Sequence, residues 1–499
     1  MRSHPSLGEP ILATISTQDH LQKERITARV STPYLHVYHR ISLFIAKSSA
    51  SVENVSGSRR RCRIDMDSFD YVHMVIPDVN GLPRGQVIPR RFVRQKLKTG
   101  VDLYYGVLMM GPNSEYTMKI EEYVTMENRN WKPDLSTLIA TPWCDSGSRR
   151  TASVLCDLLK RDGTPDGLST RGIVQQLLGK LRDNFGLTLK VAFEFEFFVM
   201  KEDTLEPLGG DSCQFFDLRR TEGNIDMFYD LCETLEKAGL HVMSFSSEFY
   251  AGQWELNFDP QDGIKAADMA FHVKNAVKSF FKRRGYTATF MSVPDDSLGR
   301  SGLHFNHSLW TAAGQNAMVD DQRKDAISDL ALRWNAGILK HARALTALCC
   351  PTINCYRRLH RVACPSKNTW AVEHRTGMTR FRVSDNNVFI ENRLPSSAAN
   401  PYLVIAGHLA AGMAGLEAAE IELPPEMDLE HAQKLPVSLE EALDVFENDE
   451  VMLEAFGQRF VSCFVTGKWD GELTEYNLLW TAPEEKIIKF ERKKYLESL

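Results

Sequence analysis

The residues most suited to chemistry in this sequence are two glutamates in the run Val191–Val199, which reads VAFEFEFFV. Apolar and acidic residues alternate there, which predicts a strand with phenylalanines on one face and Glu194 and Glu196 on the other. Two carboxylates on one strand face repel each other, and burial would protonate one of them unless a cation lay between them. Carboxylate oxygens suit Mg²⁺ or Mn²⁺. The alternative is a strand whose glutamates are merely solvated.

A second acidic pair occurs in the segment Ser247–Phe258, which carries Glu248 and Glu255. A separation of seven would place them on opposite faces of a straight strand. The intervening Ala251-Gly252 could supply a turn or bulge that brings both carboxylates to one side.

Two further candidates follow on strand-like segments. His304 comes after a Gly-rich turn, although an isolated histidine on a strand is more often structural than a ligand. Glu391 and Arg393 alternate on the segment Phe389–Pro395, and such a pair would ordinarily be an ion pair.

The composition limits the classes of function. The chain has 499 residues, with 43% hydrophobic and 25% charged residues, as in an ordinary soluble protein of two to four domains. The formal net charge of −6 argues against non-specific nucleic-acid binding. No apolar run is long enough to span a membrane. The ten cysteines include no CxxC pair, which favours reduced thiols in a cytoplasmic protein.

The elements that position these residues follow from the hydrophobic patterning. We expect residues 1–66 to form a disordered tail, residues 67–160 a small mixed domain, and residues 161–499 a larger α+β domain. Strands Tyr71–Ile76 and Arg84–Ile88 should pair across a turn. Helices are predicted at Ser169–Phe185, 224–237 and Lys265–Arg284, and Ser438–Glu441 reads as a capping box.

Taken together and in this order, the motifs of residues 69–499 resemble the glutamine synthetase family, class I type. The motifs are FEFEFF at 193–198, Glu248-x-x-Ala-Gly-Gln-x-Glu255, Gly-x-x-Gly-x-His304, Asn354-x-x-x-Arg358-Leu, His374-Arg-Thr, Ile390-Glu-x-Arg393 and Ala399-Asn-Pro-Tyr402. The resemblance implies a small N-terminal β-grasp domain and a catalytic domain with a curved antiparallel sheet and flanking helices. It also implies a homo-oligomer of two stacked hexamers.

The resemblance further implies two divalent cations per site, Mg²⁺ or Mn²⁺. By motif match, Glu196, Glu248 and Glu255 would hold the first ion. Glu194, His304 and Glu391 would hold the second. Keeping five carboxylates around one cavity is costly without a metal, which supports the same conclusion on physical grounds.

The implied reaction is ATP-dependent ligation of ammonia or an amine to the γ-carboxylate of glutamate through γ-glutamyl phosphate. Arg358, Arg393 and Gly299 would bind glutamate. The nucleotide and its phosphates would be bound by Arg375, Arg380, Asn306 and Ser308, with Arg375 also catalytic. A planar guanidinium meets carboxylate or phosphate through two hydrogen bonds, so arginine suits both tasks.

The sequence departs from the family pattern at several positions. The flap after Arg358 lacks its glutamate, and Tyr104–Gly111 lacks the aspartate expected to bind ammonium. Asn306 replaces a histidine near the adenine, and Phe389 replaces an arginine two residues before Glu391. The metal ligands are therefore complete, while residues for ammonium and part of the nucleotide are lost.

Two functions fit this pattern. One is a glutamate–amine ligase that uses a bulkier amine, because both lost acids handle ammonium. The other is a catalytically silent structural protein of the lengsin branch, which the stretches Met243–Ser247 and Leu439–Leu443 most resemble. Such a protein would form rings and bind cytoskeletal or intermediate-filament partners.

Overall fold

The computed structural model describes residues 68–499, except 117, 211–214, 296–297, 362, 385–386, 421–422 and 480 and the side chain of 118. The tail predicted at residues 1–66 lies outside the described residues. The described residues form an α+β structure, as predicted, with two sheets.

The first sheet contains six strands and follows the order β2-β1-β6-β4-β3, with β5 beside β6. Strands β1 and β6 are parallel and the other pairs are antiparallel. The predicted hairpin of β1 and β2 is confirmed, and the predicted boundary at residue 160 falls just after β6 ends. The strands are β1 (Tyr71–Pro77), β2 (Pro83–Pro89), β3 (Val101–Tyr104), β4 (Asn128–Pro133), β5 (Ile139–Ala140) and β6 (Thr151–Leu159).

The second sheet contains nine strands and is antiparallel except for the parallel pair β13 and β14. Its order is β13-β14-β15-β12-β7-β9-β8, and β10 and β11 also pair with β7. The strands are β7 (Leu187–Lys201), β8 (Val242–Ser247), β9 (Gln253–Phe258), β10 (Gln261–Asp262), β11 (Tyr286–Thr289), β12 (Leu303–Thr311), β13 (Trp370–Val372), β14 (Thr379–Ser384) and β15 (Asn387–Asn392).

Helices flank the two sheets. They are α1 (Arg90–Thr99), α2 (Thr170–Phe185), α3 (Leu218–Glu222), α4 (Ile225–Glu236), α5 (Gly263–Lys282), α6 (Asp329–Lys340), α7 (Ala342–Cys349), α8 (Pro401–Glu417), α9 (Leu439–Glu447), α10 (Glu450–Phe456), α11 (Gln458–Lys468), α12 (Thr474–Asn477) and α13 (Glu484–Tyr495). Short 3₁₀ turns occupy Tyr105–Met109, Met118–Glu122, Leu135–Thr137, Pro142–Cys144 and Ile353–Arg357, and a π-helical turn occupies Trp469–Leu473.

Two of the predicted helix starts, those of α2 and α9, have capping side chains. Ser169 accepts a hydrogen bond from the Gly172 amide at the start of α2. Ser438 likewise accepts one from the Glu441 amide, but the Glu441 carboxylate binds the Val437 amide. Only half of the predicted capping box therefore forms, because the Glu441 carboxylate accepts from the amide of Val437 instead of that of Ser438.

Strand β7 is the centre of the second sheet. Its apolar face carries Phe193, Phe195 and Phe197, which are fully buried. Phe193 packs against Phe305, and Phe195 packs edge-on against Phe258. The phenylalanines thus fix β7 against its neighbours while the alternate residues face the other side.

A buried arginine joins the first sheet to the helices of the second. Arg171 on α2 is 2% exposed and forms ion pairs of 2.8–3.0 Å with Asp134, Asp157 and Asp268. The Tyr402 hydroxyl donates to the same Asp268 at 2.7 Å. One guanidinium thus compensates three carboxylates from three elements.

Candidate functional site

The first pair of site residues lies across two strands of the second sheet. Glu194 on β7 is the direct partner of His304 on β12. The His304 Nδ1 atom lies 2.8 Å from Glu194 Oε2, and the Asn306 amide donates to Glu194 Oε1 at 3.0 Å. Two residues on one face of β12 therefore fix both oxygens of one carboxylate.

Glu391 on β15 completes a group of three. Its Oε1 lies 3.8 Å from His304 Nδ1, and ligand atoms of Glu194, His304 and Glu391 all lie within 4.8 Å of one another. Arg393 donates to Glu391 Oε1 at 2.6 Å, and Arg380 donates to Oε2 at 2.7 Å. The predicted ion pair of Glu391 and Arg393 is therefore present in the structure.

Glu196 lies on the same face of β7, and its cross-strand partner is Glu255 on β9. Its Oε2 accepts hydrogen bonds from the Gly302 amide at 2.8 Å and from Gln253 Nε2 at 3.2 Å. Its Oε1 lies 3.7 Å from His304 Nε2. The imidazole of His304 therefore lies between Glu194 and Glu196.

A tight hairpin brings Glu248 to Glu255. Strand β8 ends before Glu248, and β9 begins after Gly252, whose φ of +70° suits glycine. The Glu248 amide donates to the Gln253 carbonyl at 2.9 Å, which closes the turn. The nearby charge of Glu255 contributes to the raised pKa of Glu248, so the two carboxyl groups lie close together. The turn predicted at Ala251-Gly252 is thus confirmed. It explains how two glutamates seven residues apart lie on the same side of the sheet.

Together, these contacts join six side chains into one group. We call this group the six-residue cluster. Its members are Glu194, Glu196, Glu248, Glu255, His304 and Glu391.

The electrostatics differ between the two halves of the six-residue cluster. Burial raises the pKa of Glu194, but the hydrogen bond and charge of His304 outweigh it and lower the pKa to about 2. Burial also opposes ionisation of Glu391, yet His304 and Arg393 hold its pKa below the ordinary value. In contrast, burial and the charge of Glu196 raise the pKa values of Glu248 and Glu255. Within the described residues, the part of the cluster formed by Glu196, Glu248 and Glu255 therefore lacks a neighbouring positive charge.

This imbalance is what a bound cation would correct. Among the described residues, no lysine or arginine forms an ion pair with Glu196, Glu248 or Glu255. Five carboxylates and one imidazole form a hard donor set suited to Mg²⁺ or Mn²⁺. The residues present thus fit a divalent metal centre.

The residues predicted to bind glutamate are held in different ways. Arg358 is 2% exposed and donates to the carbonyls of Leu394 at 3.0 Å and Arg393 at 2.9 Å. Arg393 binds Glu391, and its buried Nε atom has no hydrogen bond. Gly299 lies under the ring of Tyr250, where an added Cβ would clash. Arg358 therefore supports the strand end that carries Arg393, and a free donor remains on Arg393.

The residues predicted to bind the nucleotide are only partly gathered around the six-residue cluster. Arg380 and Asn306 contact Glu391 and Glu194, respectively. The Ser308 hydroxyl accepts a hydrogen bond from Trp310 Nε1 at 2.8 Å. Arg375 is exposed in the turn between β13 and β14, without a hydrogen bond or ion pair to the described part of the chain.

Sequence reasoning missed several supporting residues. Gln253 and Asn257 flank Glu255, and they donate to Glu196 at 3.2 Å and Glu255 at 2.7 Å, respectively. Gln253 stands inside a motif that the sequence analysis quoted, so a signal was available for it. Arg382 reaches the cluster from β14, and its sequence position gives no such signal.

The two departures near the predicted ammonium site are visible in the structure. The Tyr104 hydroxyl lies 3.1 Å from that of Tyr116, in the segment without an acid. In the flap, His360 and Ala363 have φ values of +62° and +65°, and the Ala363 carbonyl lies 3.4 Å from Arg393 Nη2. The flap thus approaches the cluster through backbone atoms rather than a carboxylate.

Comparison with known proteins identifies similar chains. Residues 167–488 match the family model described as "Glutamine synthetase, catalytic domain". A glutamine synthetase of Methanococcus maripaludis is 29% identical over 450 residues, which cover 87% of this chain and 98% of that protein. Human lengsin is 30% identical, covering 86% of this chain and 83% of its own length.

Two further similarities concern an amine ligase and a solved structure. A glutamate–isopropylamine ligase of a Pseudomonas species is 28% identical, covering 82% of this chain and 92% of that protein. A solved structure described as a GmaS/ADP complex is similar with a TM-score of 0.74 and 26% identity, covering 86% of this chain and 96% of that one. None of the helices described here is both long and apolar enough to cross a membrane.

Proposed function

The chain belongs to the glutamine synthetase family, and from that premise we propose that it is an ATP-dependent ligase that joins an amine or ammonia to the γ-carboxylate of glutamate. The observation that carries this proposal is the convergence of the six-residue cluster beside the arginines that contact Glu391. The wider family uses ATP and divalent metals, and its members are oligomeric.

The reaction would proceed in two steps. The γ-carboxylate of glutamate attacks the terminal phosphorus of ATP, which forms γ-glutamyl phosphate and releases ADP. The amine nitrogen then attacks the acyl carbon, phosphate leaves, and the nitrogen loses a proton. Mg²⁺ or Mn²⁺ held by the six-residue cluster would neutralise charge on the phosphate oxygens.

The arginines of this chain would orient the two anionic substrates. Arg380 and Arg393 are both at least 94% buried. The Nε atom of each is buried as well and has no hydrogen bond. A buried donor without a partner is costly, so each can gain by binding an anion. Arg393, positioned by Arg358, would hold a glutamate carboxylate, and Arg380 a phosphate. Arg375 would reach the phosphates from its exposed turn.

The amine is expected to carry a carbon substituent. Both acids that would handle ammonium are absent, at Tyr104–Gly111 and in the flap. The similarity to a glutamate–isopropylamine ligase supports this class of substrate.

The proposal is tested by measuring ADP and phosphate release with glutamate, Mg²⁺ or Mn²⁺, and either ammonia or a panel of alkylamines. We expect release with at least one amine and its loss in Glu391→Gln. That variant keeps the size of the side chain but removes its charge. No release with ammonia or any amine would reject the proposal.

A second candidate function is a silent, ring-forming structural protein. The 30% identity with human lengsin and the absence of the flap glutamate favour it. It predicts an assembly of two stacked hexamers that Mn²⁺ stabilises against heat, without ADP release. Co-sedimentation with intermediate filaments would support this function, and turnover with any amine would reject it.

A further inference from the structure

Three arginines approach Glu391, although each of its oxygens needs only one of them. Arg393 Nη1 lies 2.6 Å from Oε1, and Arg380 Nη1 lies 2.7 Å from Oε2. Arg382 Nη1 lies further away, at 4.0 Å from the same Oε2. Both oxygens thus have a short charged partner before Arg382 is counted.

The three guanidinium groups form a row that leads from the interior to the surface. Arg380 and Arg382 are two residues apart on β14, so they share a face of the strand. Their side chains are 6% and 38% exposed, and that of Arg393 is 8% exposed. Arg382 therefore stands at the rim of the six-residue cluster, on the solvent side of the two buried arginines.

The guanidinium of Arg382 has neighbours on two sides but no hydrogen-bond acceptor among the residues that the structure describes. Its Nε lies 3.0 Å from Glu373 Oε2, without the geometry of a hydrogen bond. Its carbon atom Cζ lies 5.9 Å from the ring centre of Phe389. Within the described chain, this guanidinium makes no hydrogen bond. Its Nη groups thus remain available for an anion that enters from solvent.

The position of Arg382 also accounts for a departure found in the sequence. Phe389, which stands where an arginine was expected, is the direct cross-strand partner of Arg382. Directly opposite residues have Cβ atoms about 5 Å apart. The positive charge missing from β15 is therefore present at the same position of the strand pair, on β14.

We propose that Arg382 is a phosphate-binding residue for the nucleoside triphosphate and takes the place of the arginine missing at position 389. This inference rests on the proposed function, because it requires a triphosphate to enter along the arginine row. Arg380 would meet the terminal phosphate, and Arg382 one of the phosphates nearer to solvent. Nucleotide binding is then relocated at this position rather than lost.

The test is direct binding of a non-hydrolysable ATP analogue, AMPPNP, with Mg²⁺, followed by titration calorimetry. Arg382→Ala should weaken AMPPNP binding by about tenfold or more, as expected for loss of a hydrogen bond between charged groups. Binding of AMP, which lacks the outer phosphates, should not change. Thermal melting will show that the variant is folded.

Two further variants separate phosphate binding from a simple ion pair. Glu373→Gln removes the carboxylate beside Arg382, which also lies 3.4 Å from Arg380 Nη2, and because it takes charge from neither arginine it should not weaken AMPPNP binding. The exchange Arg382→Phe with Phe389→Arg restores the charge from the opposite strand, and it should recover most of the lost affinity. If Arg382 only pairs with Glu373, Glu373→Gln and Arg382→Ala would have equal effects and the exchange would rescue nothing.

The outcomes distinguish this inference from the proposed function. Tight AMPPNP binding by the unaltered chain, together with unchanged binding by Arg382→Ala, would overturn the role of Arg382 and leave the ligase proposal standing. If the unaltered chain binds no AMPPNP in the presence of Mg²⁺, both would be overturned.

Discussion

His304 and Glu194 are direct cross-strand partners, and their side chains lie 2.8 Å apart. His304 also lies 3.7 Å from Glu196 and 3.8 Å from Glu391, so it contacts three carboxylates of the six-residue cluster. This central position makes it the residue on which the integrity of the proposed metal centre depends most.

We therefore predict that His304→Ala removes one of two Mn²⁺ ions per chain. The reason is that Glu194 and Glu391 lose both a shared ligand and the group that orients them. Asn306→Ala is the matched control, because it removes only a hydrogen bond to Glu194. This variant should still bind two ions, but the affinity for one of them should fall by about 10–100-fold. Titration calorimetry measures the number of bound ions and their affinities. Binding of two ions by His304→Ala with unchanged affinity would contradict the prediction.

A second prediction concerns pH. Burial and Glu196 raise the pKa values of Glu248 and Glu255 above the ordinary value of 4.5. The folded chain without metal therefore binds more protons than the unfolded chain, and its free energy of unfolding should fall as pH rises above that value. Glu248→Gln should flatten this dependence, and saturating Mn²⁺ should abolish it. Melting temperatures across pH check the prediction, and a rise in stability with pH would contradict it.

Metal affinity should show the opposite dependence on pH. A carboxylate must lose its proton before it binds a cation, so Mn²⁺ binding should strengthen as pH rises and should release protons. Calorimetry in buffers of different ionisation enthalpy measures the protons released. Binding without proton release would contradict the raised pKa values of Glu248 and Glu255.

A third prediction concerns the glycine that closes the hairpin before β9. Gly252→Ala would place a Cβ 2.9 Å from the Val199 carbonyl, at a φ of +70°. It should lower the free energy of unfolding by about 1–3 kcal/mol and weaken Mn²⁺ binding, because Glu248 and Glu255 would separate. Gly239→Ala is the control, since Gly239 has a φ of +78° with open space around it. Equal effects on Mn²⁺ binding in the two variants would contradict the prediction.

A fourth prediction concerns the buried arginine between the sheets. Arg171→Ala leaves Asp134, Asp157 and Asp268 without their shared cation, and it should lower the free energy of unfolding by about 3–5 kcal/mol. Arg323 is a matched control, because its ion pairs with Asp325 and Asp329 are exposed. Arg323→Ala should change stability by less than about 0.5 kcal/mol. Urea denaturation measures both, and similar losses would contradict the prediction.

Much of the site could be predicted from local patterns. Alternation in FEFEFF separated the buried phenylalanines from Glu194 and Glu196, since a strand has a period of two residues. The glycine before Gln253 indicated the turn that reunites Glu248 with Glu255. Each of these signals lies within a dozen residues of the side chain that it positions.

Other features could not be predicted, because they depend on the pairing of distant strands. Nothing near Arg382 in the sequence shows that it lies opposite Phe389 and within 4.0 Å of Glu391. Likewise, only the fold shows that both Nη groups of Arg358 donate to backbone carbonyls. Pattern reasoning identifies the kind of residue, whereas register decides which neighbour it meets.

The six-residue cluster is assembled from β7, β9 and the turn before it, β12 and β15, which extend from residue 187 to residue 392 of the chain. Contacts between such distant segments form slowly, because long loops must close first. A nascent chain that has not yet emerged from the ribosome as far as β15 has no Glu391 to offer. Capture of a second cation would therefore mark the moment at which synthesis and folding of the second sheet are complete.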